Sequence, residues 1–268
     1  MNKLEVLSFS LFFTVAACGF ASASSSAWYE SQGGRVRLVT TGTADQAGRI
    51  QGVLEIALKP GWKTYWRDPG DSGVPPQIDV NASANVAGVD LSFPAPQRHD
   101  DGYGQWAGYD RSVALPAVFT LKSPGDKALI EAHVFLGICE TICIPVQTTL
   151  SVDPASDPDN ATDAELVKTA FAALPQAERS DFRAVTVAGD DETLNVEVAA
   201  PGAPDDVDFF VAGNQDYMFG PPTRTEQNGK VLFSVPILDR PDTIPAGAGL
   251  HYTVTGTTGA VEGLLPYP

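Results

Sequence analysis

Between residues 30 and 152 the chain runs in short apolar or alternating stretches, broken about every 8–15 residues by Gly, Pro, Asn or Asp. Alternation with period two is the mark of a half-buried strand, because successive side chains leave a strand on opposite faces. Strands are therefore expected at Arg35–Thr40, Ile50–Leu58, Trp62–Trp66, Val86–Phe93, Val113–Leu121, Leu129–Ile138 and Ile144–Val152. Two stretches, Arg67–Gln77 and Pro94–Gly108, hold too much Pro and Gly for regular structure and read as loops. Many short strands with regular turns and no helical period predict an antiparallel β-sandwich of immunoglobulin type.

The pattern changes at residues 153–161, an acidic, proline-bearing linker. Thr162 and Glu165 then stand at the spacing of a capping box, each able to satisfy the other's backbone amide. Leu166, Ala170, Phe171 and Leu174 follow at helical spacing until Pro175, which predicts one short amphipathic helix packed between domains. Strands resume at Phe182–Val187, Leu194–Val198, Val207–Val211, Val231–Pro236 and Leu250–Thr255. The expected class is all-β: an immunoglobulin-like sandwich over 28–152, a linker and helix over 153–175, and a second, smaller sandwich over 176–268.

The first 23 residues read as an export signal: Lys3, an apolar run from Leu7 to Ala17, and small residues offering a cut after Ala23. That run is shorter than the roughly 20 residues a membrane span needs. Val15-Ala16-Ala17-Cys18-Gly19 also fits a bacterial lipobox, so the alternative is a lipid anchor on Cys18. A net charge of −16 argues against nucleic acid and anionic lipid as partners. An exported, acidic monomer is expected.

Of three cysteines, Cys139 and Cys143 are the pair that survives either processing route. Fully extended chain between them would hold their Cα atoms about 13 Å apart. A disulfide needs about 4.4–6.8 Å. A hairpin with Glu140-Thr141-Ile142 as its loop would set them directly opposite, at about 4.5–5.5 Å. In an oxidising compartment such a pair is either a staple or a redox site. A bridge closing so small a loop removes little unfolded-state entropy, which weighs against a purely structural purpose. In sequence nothing basic adjoins the pair, and Glu140 opposes a thiolate there.

Three segments together carry a resemblance: Pro60-Gly61-Trp62-Lys63-Thr64-Tyr65-Trp66-Arg67, running on to Pro76; Asp100-Asp101-Gly102-Tyr103-Gly104 with Gly108-Tyr109 and Val113–Pro116; and the cysteine segment itself, Gly137–Thr148. In that order they resemble the periplasmic N-terminal domain of the thiol:disulfide interchange protein DsbD family. The resemblance implies a periplasmic immunoglobulin-like domain whose catalytic pair, Cys139 and Cys143, relays electrons without a cofactor. The implied donor is a membrane-embedded thiol reductase, and the implied clients are periplasmic thioredoxin-like or disulfide isomerase proteins. It makes Cys143 the sulfur that forms the mixed disulfide. It also makes Asp100, Asp101, Gly102, Tyr103 and Gly104 a loop gating the pair. A glycine stands where that family places a shielding phenylalanine, leaving Tyr103 or Trp106 to substitute.

The aromatic cluster Trp62, Tyr65 and Trp66 is expected to be core and loop packing, or else a docking surface beside the cysteines. Arg67 is expected to brace its loop through Asp68 or Asp71. The competing chemistry is Cu(I) binding by the two thiolates with one of His99, His133 or His251. Because the copper chaperones with this cysteine spacing are built with helices, no metal is expected here. A further alternative is an interaction module in which the disulfide is only bracing.

Overall fold

The computed structural model describes residues 24–70, 73–100, 102, 104–190, 192–213, 217–245, 247 and 249–268. Cys18 and the rest of the segment expected to be an export signal lie outside them, as do Asp71, Asp101 and Tyr103. The first half contains β1 (Tyr29–Ser31), β2 (Gly34–Thr40), β3 (Arg49–Leu58), β4 (Thr64–Tyr65), β5 (Gln77–Asp79) and β6 (Val86–Leu91). It continues through β7 (Gln97–Asp100), β8 (Gln105–Tyr109), β9 (Val113–Leu121), β10 (Ile130–Cys139) and β11 (Cys143–Val152).

One sheet has the order β1-β2-β3-β9-β6; facing it is β11-β10-β5. Alternate residues of these strands, among them Val36, Leu38, Leu54, Ile56, Leu115, Phe119, Val134, Leu136 and Ile138, close the core between the sheets. A third small sheet, β4-β8-β7, lies at the end of β10. The β7–β8 hairpin corrects the sequence-based expectation, which made 94–108 a loop. Its strands are short and Gly-bearing, but their backbone groups are satisfied by β4 and by each other. β4 is likewise shorter than expected, because the Pro60-Gly61 turn takes up the residues before it and a non-repetitive loop follows.

Helix α1 (Ala161–Ala172) is capped by Asn160, whose side chain accepts from the amides of Thr162 and Asp163. The Thr162/Glu165 capping box is therefore not the start signal; the Asx cap two residues earlier is. Nor does the helix pack between domains. Val167 and Ala170 lie on Val39 and Val53, on the outer face of the first sheet. The buried Asp163 carboxylate accepts a hydrogen bond from Ser24 at 2.6 Å.

The second half contains β12 (Gln176–Ala177), β13 (Arg183–Gly189), β14 (Thr193–Ala199), β15 (Asp208–Ala212) and β16 (Met218–Phe219). It ends with β17 (Thr223–Gln227), β18 (Lys230–Asp239), β19 (Leu250–Gly256) and β20 (Gly259–Leu265). A sheet β12-β20-β19-β15 packs over β13-β14-β18, to which β16 and β17 add. All these pairings are antiparallel except β12 with β20.

Strand β15, Asp-Phe-Phe-Val-Ala, is apolar on both faces. Phe209 and Val211 enter the second core, while Phe210 and Ala212 belong to the first. Trp66 meets Phe210 edge-on at 5.9 Å, and Arg67 reaches Glu262 of β20 at 3.9 Å. Burial pushes the Arg67 guanidinium below its ordinary pKa and the Glu262 carboxyl above its own, each opposed by the other's charge.

Candidate functional site

β10 and β11 are paired from Ile130↔Val152 to Cys139↔Cys143, so the hairpin ends at the cysteines with Glu140–Ile142 as its loop. The amide of Glu140 donates to the carbonyl of Ile142 at 3.1 Å, closing the turn. Both backbone groups of Cys139 are spent on the other side: its amide donates to the Lys63 carbonyl at 2.9 Å, and its carbonyl accepts from the Lys63 amide at 2.8 Å. Cys139 and Cys143 are thus a pair with no hydrogen bonds between them, the kind in which side chains come closest. Their Cα atoms are 4.0 Å apart and the sulfurs are bonded.

The two sulfurs differ in surroundings. Cys139 is 1 % exposed and packs with Tyr65 and Trp106, whereas Cys143 is exposed. Both lie on the face of the β10–β11 sheet opposite the core, since Leu136 and Ile138 point inward and the side chain of Cys139 leaves on the other side. That face would be open to water but for a wall built from β4 and the β7–β8 hairpin. Gly137 makes room for it. A Cβ there would come within 3.2 Å of Val74 and 3.4 Å of the Tyr65 ring. The Tyr65 hydroxyl sits 3.4 Å from the Cys143 sulfur and, with the disulfide formed, is the one of the two that can donate. The Trp106 ring stands edge-on to Tyr65 at 5.9 Å.

On its other side Trp106 stacks against His99 at 4.0 Å, its cross-strand partner in the hairpin. Lys63 lies over the Trp106 ring, its ammonium 4.4 Å from the centroid. Lys63 faces Cys139 directly across the backbone bridge, so the two side chains leave on the same side. Burial holds His99 below its ordinary pKa; Asp110 opposes this and Lys63 adds to it. Neither Trp106 Nε1 nor His99 Nε2 has a hydrogen-bond partner among the described residues.

The structure sorts the sequence expectations. Of the gating segment, Asp100 ends β7 and its carboxylate accepts from the Gly102 amide at 2.9 Å, while Gly104 precedes β8. Of the two candidates for the missing phenylalanine's place, Trp106 packs with Tyr65 and Cys139, and Tyr103 lies outside the described residues. Trp62, Tyr65 and Trp66 are all buried, which suits core and loop packing rather than a docking surface. Trp62 fills the space over Gly33 and Ile138, Trp66 joins the two halves, and Tyr65 covers the disulfide. The residue that sequence reasoning missed is Lys63, remote from the cysteines along the chain but brought beside Cys139 by the bridge. Its signal was its place in the Pro60–Arg67 segment.

Among the described residues no three His, Cys, Asp or Glu side chains are grouped to hold a metal ion. His133 lies six residues up β10 from Cys139, about 20 Å along the strand, and its Nδ1 is taken by Thr149 at 2.8 Å. No helix among the described residues is long and apolar enough to cross a membrane.

Residues 35–154 match the family profile described as thiol:disulfide interchange protein DsbD, N-terminal. No curated protein matches the chain. Among solved structures it is similar to the N-terminal periplasmic domain of ScsB from Proteus mirabilis, with a TM-score of 0.72 and 22% identity over 92% of this chain and 100% of that one. At that identity the likeness concerns the fold, and it extends through both sandwiches. The matched region contains the first sandwich, the wall and the bonded cysteines, so that over residues 35–154 the chain is similar to the N-terminal domain of the DsbD thiol:disulfide interchange family.

Proposed function

We propose that the protein passes electrons through Cys139 and Cys143 between a membrane-embedded thiol reductase and exported client proteins of thioredoxin-like or disulfide isomerase type. The observation that carries this reading is the asymmetry of the pair: Cys143 is an exposed residue, whereas Cys139 is buried under Tyr65 and Trp106. The likeness to a periplasmic domain supports the periplasm as its place of action. The units are taken as 28–152 for exchange, 153–175 as connector and 176–268 as a second domain.

In the first step a donor thiolate attacks the Cys143 sulfur. The Cys139–Cys143 bond breaks and its electron pair leaves on Cys139, while donor and Cys143 become a mixed disulfide. Lys63 lies on the side where that negative charge develops, and a cation there favours the thiolate. The donor's second thiol, once deprotonated, attacks the donor sulfur of the mixed disulfide and expels Cys143 as thiolate. The donor is now oxidised and the pair carries two electrons. Run against an oxidised client, the same steps in reverse order return the pair to its disulfide. The segment Asp100-Asp101-Gly102-Tyr103-Gly104 is assigned the gate, since its described ends, Asp100 and Gly104, adjoin the strands that carry His99 and Trp106.

Trapping in the native periplasm tests the assignment. Cys139→Ser leaves the exposed sulfur without its resolving partner and should accumulate covalent adducts. Cys143→Ser, retaining only the sealed sulfur, should give few. Adducts from neither variant would leave the disulfide as a brace.

A further inference from the structure

We propose that Arg98 is a positioning residue through which the second sandwich holds Trp106 over Cys139. This deepens the exchange reading and rests on it, by giving the second sandwich a part in controlling access to the buried sulfur.

The wall is a slight structure. β4 has two residues, β7 four and β8 five, and isolated ribbons of this size are marginal in water. Successive residues of β7 point to opposite sides. His99 therefore faces Trp106, while Arg98 faces the second sandwich. Its guanidinium forks onto Asp208 of β15, with Nε 3.0 Å from Oδ2 and Nη2 3.1 Å from Oδ1. Nη2 also donates to the Phe209 carbonyl at 2.7 Å. The guanidinium carbon lies 4.6 Å from the centroid of Phe210, the same ring that Trp66 meets from the first core. Arg98 and Asp208 keep only 22% and 29% of their side-chain surface exposed, so the bidentate contact is partly withdrawn from solvent and stronger than a surface pair.

Arg98 is adjacent to His99 in the chain and opposite Ala107, the neighbour of Trp106. Loosening it therefore frees the strand pair that carries the cover. The second sandwich has no cysteine; what it supplies is a fixed anchor for the hairpin.

The test uses the full chain carrying Cys143→Ser, so that Cys139 is a free thiol, and follows its alkylation by iodoacetamide with mass spectrometry, below the melting temperature of each variant. Trp106→Ala sets the rate for an uncovered sulfur. Arg98→Ala and Asp208→Ala should each raise the Cys139 rate about tenfold, as a freed local opening would. Asp208→Asn keeps one acceptor oxygen towards Arg98 and puts an amide donor in place of the other, so it should fall between wild type and Asp208→Ala. A Cys139 rate unchanged by Arg98→Ala and Asp208→Ala, while Trp106→Ala raises it, would overturn the proposal. Because the assay contains no disulfide, its outcome does not depend on whether the native pair exchanges with other proteins.

Discussion

The two sandwiches are built by the same rules and put to different uses. Each closes an apolar core between two sheets, and each buries strands whose inward residues are Val, Leu, Ile and Phe. In the first, the outer face of one sheet is covered by a second layer, and the end of the β10–β11 hairpin is left half under that layer with a disulfide across it. In the second, the comparable surplus is strand β15, which spends one face on its own core and the other on its neighbour's. The fold alone therefore does not carry the chemistry. A glycine that lets Tyr65 approach, a backbone bridge to Lys63 and a cross-strand Trp106–His99 stack set one hairpin end apart, and it is there that we place the proposed exchange.

The sharpest way to break this comparison is at β15. Phe209→Ala and Phe210→Ala delete the same ring from adjacent positions, and each should cost about 3–5 kcal/mol. Phe209→Ala should lower the melting of the second sandwich only. Phe210→Ala should unsettle both and detach the wall, seen as faster amide exchange in β7 and β8. Equal and confined effects from the two would mean the halves are merely adjacent.

A smaller effect is expected at Lys63. Lys63→Met keeps the aliphatic stem over Trp106 and removes the charge. Reduction of the disulfide by a small dithiol should slow about threefold, the effect of roughly one unit of leaving-thiol pKa at a Brønsted coefficient of about 0.5, with melting little changed. No change in rate would remove Lys63 from the site. The smallest effect concerns pH. Burial lowers the His99 pKa from its ordinary 6.5, so the unfolded chain binds the proton more readily than the folded one. The stability this contributes is complete above that ordinary value and is lost as pH falls below it. His99→Gln should flatten the decline of melting temperature below about pH 6.5 relative to wild type. An unaltered slope would show that the stack does not titrate.

Much of this was legible in the chain. β9, Val113–Leu121, and the hairpin about Glu140–Ile142 follow from alternation and from the distance two sulfurs require. β15 could have been read as buried on both faces, since its apolar run does not alternate. The β7–β8 hairpin was hidden because its order comes from pairing with β4 and from the Arg98 anchor, neither of which is local in sequence. For the same reason the sequence showed an acid beside the cysteines and not the base: Glu140 is a neighbour in the chain, Lys63 only across a bridge.

The central claim is that this disulfide is a reversible couple whose open sulfur is Cys143, and equilibration of the folded chain in glutathione buffers tests it most directly. Acid quenching and mass spectrometry would give the fraction reduced and the site of any glutathione adduct. The account predicts a reversible titration between about −180 and −270 mV, the range of thiol exchange proteins, with glutathione found on Cys143. A pair still oxidised below about −300 mV, as structural disulfides are, or an adduct on Cys139 alone, would contradict it.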